Sequence, residues 1–167
     1  MKIAITDLKD YNEAILRYKW LDLEECLSKD EISDFIEQFL AKRSKETNQL
    51  HEEWFVTDYE EFVDLGEYPN LDDIETATNL SQEHAWEVIS AYYSCYQEFE
   101  HFEEDFVGIY EDEEDFAYEL AQDIYSEEQM GVLSVYIDWE RFARDLFIGD
   151  DYSEKLENCK IVIFRRW

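Results

Sequence analysis

Carboxylates are the reactive side chains that this sequence offers in quantity. Its 167 residues include 44 Asp and Glu but only 14 Lys and Arg, which sets the formal net charge at −30. Two neighbouring carboxylates can act as a general acid and a general base, yet at this density such pairs arise by chance. No nucleophilic Ser or Cys context, glycine-rich phosphate loop or HExxH motif accompanies them. We therefore expect a binding protein rather than an enzyme, with no cofactor.

Metal-ligating residue types are present without the spacing that metal sites need. The run EDEED at residues 111–115 lacks the glycine and the alternating ligands of an EF-hand loop. The three His and three Cys have no zinc-site spacing. We expect solvated charge here and no bound metal. Three widely spaced cysteines, with no signal peptide and no membrane-length apolar run, favour a cytoplasmic protein with reduced thiols.

The acidic residues are concentrated in one stretch of the chain. Residues 46–140 contain 29 acidic side chains and no Lys or Arg, whereas residues 1–45 and 141–167 are close to neutral. Without Lys or Arg, the stretch cannot form the Glu–Lys pairs that stabilise helices. It also places like charges one helical turn apart at Asp115, Glu119 and Asp123. General solubilising or halophilic acidity is the alternative, although that acidity would extend over the whole chain. The pattern indicates a surface selected for binding.

The composition indicates a folded chain and excludes two classes of partner. Hydrophobic residues make up 46% and aromatic residues 17% of the sequence, with one Pro and four Gly. Acidic disordered chains lack such residues. Binding to nucleic acid needs Lys and Arg to neutralise phosphates, and an anionic membrane repels a chain of this charge. We therefore expect neither nucleic acid nor a membrane as the partner.

Hydrophobic periodicity predicts an α+β fold arranged as three small modules. The modules are an N-terminal α+β module at residues 1–62, a mostly helical module at 63–103 and a C-terminal α+β module at 104–167. Strands are predicted at 2–6, 17–23, 54–59, 106–110 and 159–165. Helices are predicted from Ser28 or Asp30 to 45, at 71–78, from a Ser81 cap to 97, from the acidic run at 111–115 to 125, and at 138–146. In the helix that ends at 125, the spacing places Phe116, Leu120 and Ile124 on the inward face.

A surface of carboxylates without bases resembles the phosphate array of DNA. Duplex DNA carries one charge per ~1.7 Å of its axis, so the 29 acids correspond to roughly 50 Å of duplex. Carboxylates one helical turn apart are separated by ~6 Å along the axis, which is close to the spacing of phosphates on one strand. A DNA-mimicking surface is therefore a hypothesis from charge density. Its candidate residues are Asp58, Glu60, Glu61, Asp64, Asp72, Asp73, Glu98, Glu100, Glu103, Glu104, Asp105, Glu111, Asp112, Glu113, Glu114, Asp115, Glu119, Asp123, Glu127 and Glu128.

Four segments carry a resemblance to a known family. They are ITDLKDYNEAILRYKW at 5–20, EEWFVTDYE at 52–60, DFAYELAQD at 115–123 and YIDWERFARDL at 136–146. In order and spacing they resemble the ArdA antirestriction proteins. The resemblance implies elongated dimers of three-module chains that mimic B-form DNA and are encoded on mobile elements. It implies that they occupy the DNA-binding groove of type I restriction–modification enzymes, blocking restriction and often modification.

The resemblance also places a homodimer contact in the last module. Two chains of charge −30 meet most easily where charge is low, and residues 141–167 are close to neutral. The candidate dimer contacts are Trp139, Phe142, Phe147, Ile161 and Ile163.

Two other functions would also use an acidic surface to bind a basic protein. One is an immunity-type inhibitor of a basic nuclease, which concentrates its binding energy in a few residues of one compact patch. The other is a decoy for a histone-like or nucleoid protein. Charge alone does not choose among these targets, whereas the family resemblance favours the restriction enzyme.

Overall fold

The computed structural model describes residues 1–25, 27–125, 130–148, 152–157 and 160–165. These residues form an α+β fold with seven α-helices and two three-stranded antiparallel sheets. The elements are β1 (Lys2–Asp7), α1 (Leu8–Asn12), β2 (Tyr18–Asp22), α2 (Lys29–Thr47), β3 (Trp54–Glu60), α3 (Leu71–Leu80), α4 (Trp86–Tyr96), α5 (Phe102–Asp105), β4 (Phe106–Tyr110), α6 (Glu113–Ile124), a 3₁₀ helix (Gly131–Tyr136), α7 (Trp139–Ile148), β5 (Tyr152–Glu157) and β6 (Lys160–Arg165).

The chain divides into two compact units, Met1–Phe99 and Glu100–Trp167. The first unit contains the predicted N-terminal module together with nearly all of the predicted helical module. The second contains the predicted C-terminal module. The three-module arrangement and its elongated shape stay predictions.

The first sheet has the order β2-β1-β3, with the most apolar strand in the centre. Ile3 and Ile5 of β1 are fully buried, and Leu21 of β2 pairs with Ile3. On α2, Ile32, Ile36 and Leu40 are one turn apart and are buried on one side of the helix. These buried side chains belong to the core of the first unit.

Helix α2 begins where the sequence predicts. The Ser28 hydroxyl accepts a hydrogen bond from the Glu31 N–H, and the Glu31 carboxylate accepts one from the Ser28 N–H at 3.1 Å. This capping box satisfies backbone donors that the first helical turn leaves open. The hydrogen bonds from Ser28 also lower the pKa of Glu31 below its ordinary value.

The predicted start of α4 is wrong. Ser81 ends α3 instead of capping the next helix, because its hydroxyl donates to the Ala77 carbonyl at 2.7 Å and its N–H donates to the same oxygen at 3.0 Å. Further turns follow before α4 starts at Trp86, and Ala85 at the cap position offers no side-chain oxygen. A serine at the end of one helix carries the same sequence signal as a serine before the next.

The second sheet has the order β4-β6-β5, and its central strand β6 is buried on both faces. Ile161 and Ile163 pack against Phe116 of α6. Phe164 lies on the other face, with its ring centroid 6.4 Å from that of Phe102. Strand β5, which the sequence did not predict, pairs with β6 along its whole length.

Two predictions about buried side chains need correction in this unit. Ile161 and Ile163, named as dimer contacts, are 3% and 0% exposed, so their side chains have no surface to offer a second chain. Ile124, predicted to face inward, is 60% exposed because it is the last residue of α6, while Phe116, Ala117 and Ala121 form the buried face.

Of the cysteines, Cys95 is exposed, whereas Cys26 and Cys159 lie outside the described residues.

A buried charge network joins β1, α1 and α2 in the first unit. The Asp10 carboxylate is 1% exposed and accepts two hydrogen bonds from Arg43, from Nε at 2.6 Å and from Nη2 at 3.0 Å. Asp7 caps α1 by accepting the Asp10 N–H at 3.0 Å, and its other oxygen lies 2.7 Å from His51 Nδ1. Both ring nitrogens of His51 have partners, because Nε2 lies 3.0 Å from Thr47 Oγ1. The network therefore satisfies charges that would otherwise be costly to bury.

We expect the Asp10→Asn variant to lower the free energy of unfolding by about 3 kcal/mol, because it breaks the buried Arg43–Asp10 ion pair and leaves Arg43 with the more exposed Glu46. The matched control is Asp34→Asn on the exposed side of α2, which we expect to change stability by less than about 0.5 kcal/mol. Urea unfolding monitored by circular dichroism measures both. Equal stabilities of the two variants would contradict the structural role of the network.

Candidate acidic binding surface

Most of the predicted surface acids are exposed, and they occur in both units. The exposed residues are Asp58, Glu60, Glu61, Asp64, Asp72, Glu100, Glu103, Glu104, Glu111, Asp112, Glu114, Asp115, Glu119 and Asp123. We call this set the acidic surface.

The remaining predicted acids differ in accessibility. Asp73, Glu98 and Glu113 are half-buried. Asp105 is only 7% exposed, so its inclusion in the surface is wrong. It is the last residue of α5, a helix that packs through Phe102 into the core, and the short helix carries Asp105 inward with it. Glu127 and Glu128 lie outside the described residues.

Helix α6 shows how the fold positions part of the acidic surface. Asp112 caps the helix by accepting the Asp115 N–H at 2.9 Å. Acidic residues in a first turn are stabilised by the positive end of the helix dipole, which offsets part of their mutual repulsion. From there Asp115, Glu119 and Asp123 continue at one-turn intervals on the exposed side of the helix, opposite its buried face. These three side chains are thus accessible to solvent, and their part in binding stays a prediction.

Two lysines from outside residues 46–140 neutralise part of the acidic surface. The Lys29 ammonium pairs with Asp72, and the Lys160 ammonium lies 2.7 Å from Glu111 Oε1. The hydrogen bond to the carboxylate is the main reason that the pKa of each lysine is raised above its ordinary value. Sequence reasoning missed both pairs, because each joins residues more than forty positions apart.

Two tyrosines of the first unit respond to the negative potential. Burial, reinforced by the Asp64 carboxylate, raises the pKa of Tyr59 well above its ordinary value. Burial, followed by the carboxylates of Asp73 and Asp64, also raises the pKa of Tyr93. Both effects disfavour the phenolate, as expected for a buried hydroxyl close to negative charge.

The buried trio Asp7, Asp10 and His51 brings its ligand-type atoms within 4.8 Å of one another. Those atoms already have protein partners, because Arg43 holds Asp10 in a bidentate contact and His51 is bonded at both nitrogens. A cation at this place would have to displace Arg43. The chemistry of the trio is therefore that of a structural ion-pair network.

The fold and the exposed carboxylates define the class of this molecule as an acidic α+β protein built on two small antiparallel sheets. In the part of the chain that the structure describes, no helix is both long and apolar enough to span a bilayer. The sequence profile of the family described as Antirestriction protein (ArdA) matches residues 3–157, and the chain belongs to this family. The resemblance identified from the four sequence segments is thus confirmed.

A comparison with curated proteins gives no match. Membership of the ArdA family implies an antirestriction function, and it suggests a protein partner among restriction enzymes. The family comprises inhibitor proteins and is not a known enzyme family.

We expect Asp73→Asn to lower the pKa of Tyr93, because the phenolate then forms beside one fewer negative charge. NMR titration of ring-¹³C-labelled tyrosine measures this pKa, with the Tyr93 signal identified by its loss in Tyr93→Phe. Asp34→Asn, on α2, is the control and leaves the Tyr93 titration unchanged. An unchanged titration in Asp73→Asn as well would show that Asp73 does not contribute to the raised pKa of Tyr93.

Proposed function

We propose that this protein inhibits type I restriction–modification enzymes by occupying their DNA-binding groove in place of DNA. It thereby blocks restriction, and also modification, of incoming DNA. The observation that carries the proposal is the acidic surface: its carboxylates are exposed in both units, and residues 46–140, which supply all of them, contain no Lys or Arg. Family membership supports the choice of a restriction enzyme as the target.

Electrostatics explains why such a surface binds a DNA-binding groove. A groove built for phosphates is lined with Lys and Arg, and an anionic surface of matching charge density accelerates association with it. Binding releases counterions into solution, as the binding of DNA does, so the affinity falls with rising salt. Carboxylates at one-turn spacing on α6 meet basic side chains at intervals similar to those of phosphates.

The binding energy of a mimic is distributed over many contacts. Each exposed ion pair contributes at most about 1 kcal/mol, so the loss of one carboxylate is tolerated. An immunity-type nuclease inhibitor would instead depend on a few dominant residues. A nucleoid-protein decoy would show distributed binding toward a different target. Family membership favours the restriction enzyme over both alternatives.

The proposal includes the place and origin of the protein. Restriction of incoming DNA takes place in the cytoplasm, and we place the inhibitor there. An inhibitor of restriction benefits the DNA that enters a cell, so its gene belongs on a mobile element.

We further propose a homodimer that meets through the second unit. Trp139, Phe142 and Phe147 are half-buried there. Val135 and Tyr136, at the end of the 3₁₀ helix, are 76% and 79% exposed. Neighbouring exposed apolar side chains are typical of association surfaces. These residues take over the contact that we first assigned to the buried Ile161 and Ile163.

Competition with DNA tests the inhibitor proposal. The protein is titrated into a type I modification enzyme bound to a labelled target duplex, at ~0.05 M and ~0.2 M salt. We expect displacement at near-stoichiometric protein that weakens steeply with salt. Failure to displace the duplex at low salt would contradict the proposal, and capture of nucleases or nucleoid proteins would then support the alternatives.

Neutralising the acidic surface separates distributed from concentrated binding. A six-fold variant (Glu100→Gln, Glu104→Gln, Glu114→Gln, Asp115→Asn, Glu119→Gln and Asp123→Asn) is expected to weaken competition about a hundredfold, whereas Glu119→Gln alone costs less than about threefold. Urea unfolding checks that the six-fold variant is folded. Near-complete inhibition by the folded six-fold variant would contradict distributed mimicry.

The dimer is tested with the variant Val135→Glu/Tyr136→Glu. Two carboxylates per chain at a contact between acidic chains add repulsion and remove apolar area, so we expect the mass in solution to fall from two chains to one. Leu16→Glu, at a 71% exposed apolar residue of the first unit, is the control and stays dimeric. Sedimentation equilibrium measures the mass, and a dimer that survives in the double variant would place the contact elsewhere.

A further inference from the structure

A pocket of about 450 Å³ lies in the first unit, between β3, the loop that follows it and α4. Its apolar wall is aromatic: Tyr59 and Trp86 line it and are half-buried, and Phe62 is buried behind them. Asp58, Glu61, Asp64 and Glu67 also line the pocket, and all four are exposed.

Hydrogen bonds hold the loop in place around this pocket. The Tyr59 hydroxyl donates to the Gly66 carbonyl at 2.5 Å, and Asp64 Oδ1 accepts the Gly66 N–H at 2.9 Å. Gly66 has φ +84°, a conformation that other residues rarely adopt, so the turn depends on glycine. The Val56 N–H donates to the Glu67 carbonyl at 2.8 Å and closes the loop. The pocket is therefore preorganised before any partner arrives.

The carboxylates of this pocket have no cation of their own. Among the residues that the structure describes, no Lys, Arg or His nitrogen lies within ion-pair distance of Asp58, Glu61, Asp64 or Glu67. Their negative potential reaches Tyr59, whose pKa is raised by burial and then by Asp64. Negative charge around an aromatic wall is the setting in which a cation gains both ion pairs and contact with a π face.

A second pocket lined by aromatic rings and carboxylates lies in the second unit, and it indicates which kind of ligand such a pocket binds. A pocket of about 440 Å³ is lined there by Tyr118, Trp139 and four carboxylates that include Glu111. The two rings meet edge to face with centroids 5.1 Å apart. In that pocket Glu111 already binds an ammonium group, that of Lys160 at 2.7 Å. The chain itself therefore places a cation against a carboxylate that lines such a pocket, whereas none of the described Lys, Arg and His residues does so in the pocket of the first unit.

We propose that the pocket of the first unit binds the guanidinium group of an arginine side chain from the protein partner. A planar guanidinium can stack on the Trp86 ring while its N–H groups donate to the surrounding carboxylates, which a compact ammonium cannot do equally well. The proposal rests on the proposed function only for the identity of the partner that carries the arginine. It adds a concentrated contact to an otherwise distributed interface.

Methylguanidinium chloride is the probe, titrated into the full chain while NMR follows the indole N–H signal of Trp86, which is identified by its loss in Trp86→Phe. Sodium chloride and the neutral analogue methylurea are the reference titrants. We expect a saturable shift with methylguanidinium alone. A shift that is as large with sodium chloride or methylurea, or that never saturates, would overturn the proposal, and this outcome needs no variant to fold.

Two variants with equal charge change locate the binding. The pocket variant is Asp58→Asn/Glu61→Gln/Glu67→Gln, and the control is Glu100→Gln/Glu119→Gln/Asp123→Asn, whose residues are exposed and line neither pocket. We expect methylguanidinium to bind the pocket variant about tenfold more weakly and the control within about twofold of the unsubstituted chain. Equal weakening in both would assign the effect to overall charge and overturn the proposal.

Competition with DNA on the type I enzyme distinguishes this proposal from the proposed function. If both hold, the pocket variant loses about ten times more competing affinity than the control variant. Saturable methylguanidinium binding without any displacement of DNA would retain the pocket and refute the proposed function. Displacement of DNA without saturable methylguanidinium binding would retain the function and refute the pocket.

Discussion

The carboxylates of residues 46–140 repel one another, and the rest of the structure must offset this repulsion. No Lys or Arg within that stretch relieves the repulsion, so apolar burial must stabilise the fold against it. Each unit therefore has its own core around a central apolar strand, β1 with Ile3 and Ile5 in the first and β6 with Ile161 and Ile163 in the second. The high aromatic content also stabilises the fold against the repulsion, because large rings bury much apolar area per residue.

Three of the cations connect separate elements of the fold. Arg43 holds the buried Asp10, Lys29 joins α2 to Asp72 of α3, and Lys160 joins β6 to Glu111 beside α6. Positive charge is thereby used where it fixes one element against another. Exposed carboxylates such as Asp115, Glu119 and Asp123 remain accessible to solvent, and a molecule that competes with DNA for a basic groove needs accessible negative charge.

Local sequence signals predicted the elements that have strong periodicity or a cap. The α+β class, the helix start at Ser28 and the one-turn spacing of acids along α6 followed from hydrophobic spacing and side-chain chemistry within a few residues. Elements without such a signal were missed. Strand β5 has the polar sequence YSEKLE and forms a strand because it pairs with β6. No local pattern in the sequence predicts this pairing. Ser81 failed as a cap because the same residue type ends a helix as readily as it begins one.

The sequence by itself determined the net charge, its confinement to one stretch and the family, because these depend only on which residues occur and in what order. Only the tertiary structure decided which carboxylates reach solvent and which find a cation. Asp105 is buried although its neighbours Glu103 and Glu104 are exposed, and Asp72 meets a lysine from a distant helix. The aromatic pocket around Trp86 likewise joins a strand, a loop and a helix. Burial and pairing arise from contacts between residues far apart in the chain, which local spacing does not encode.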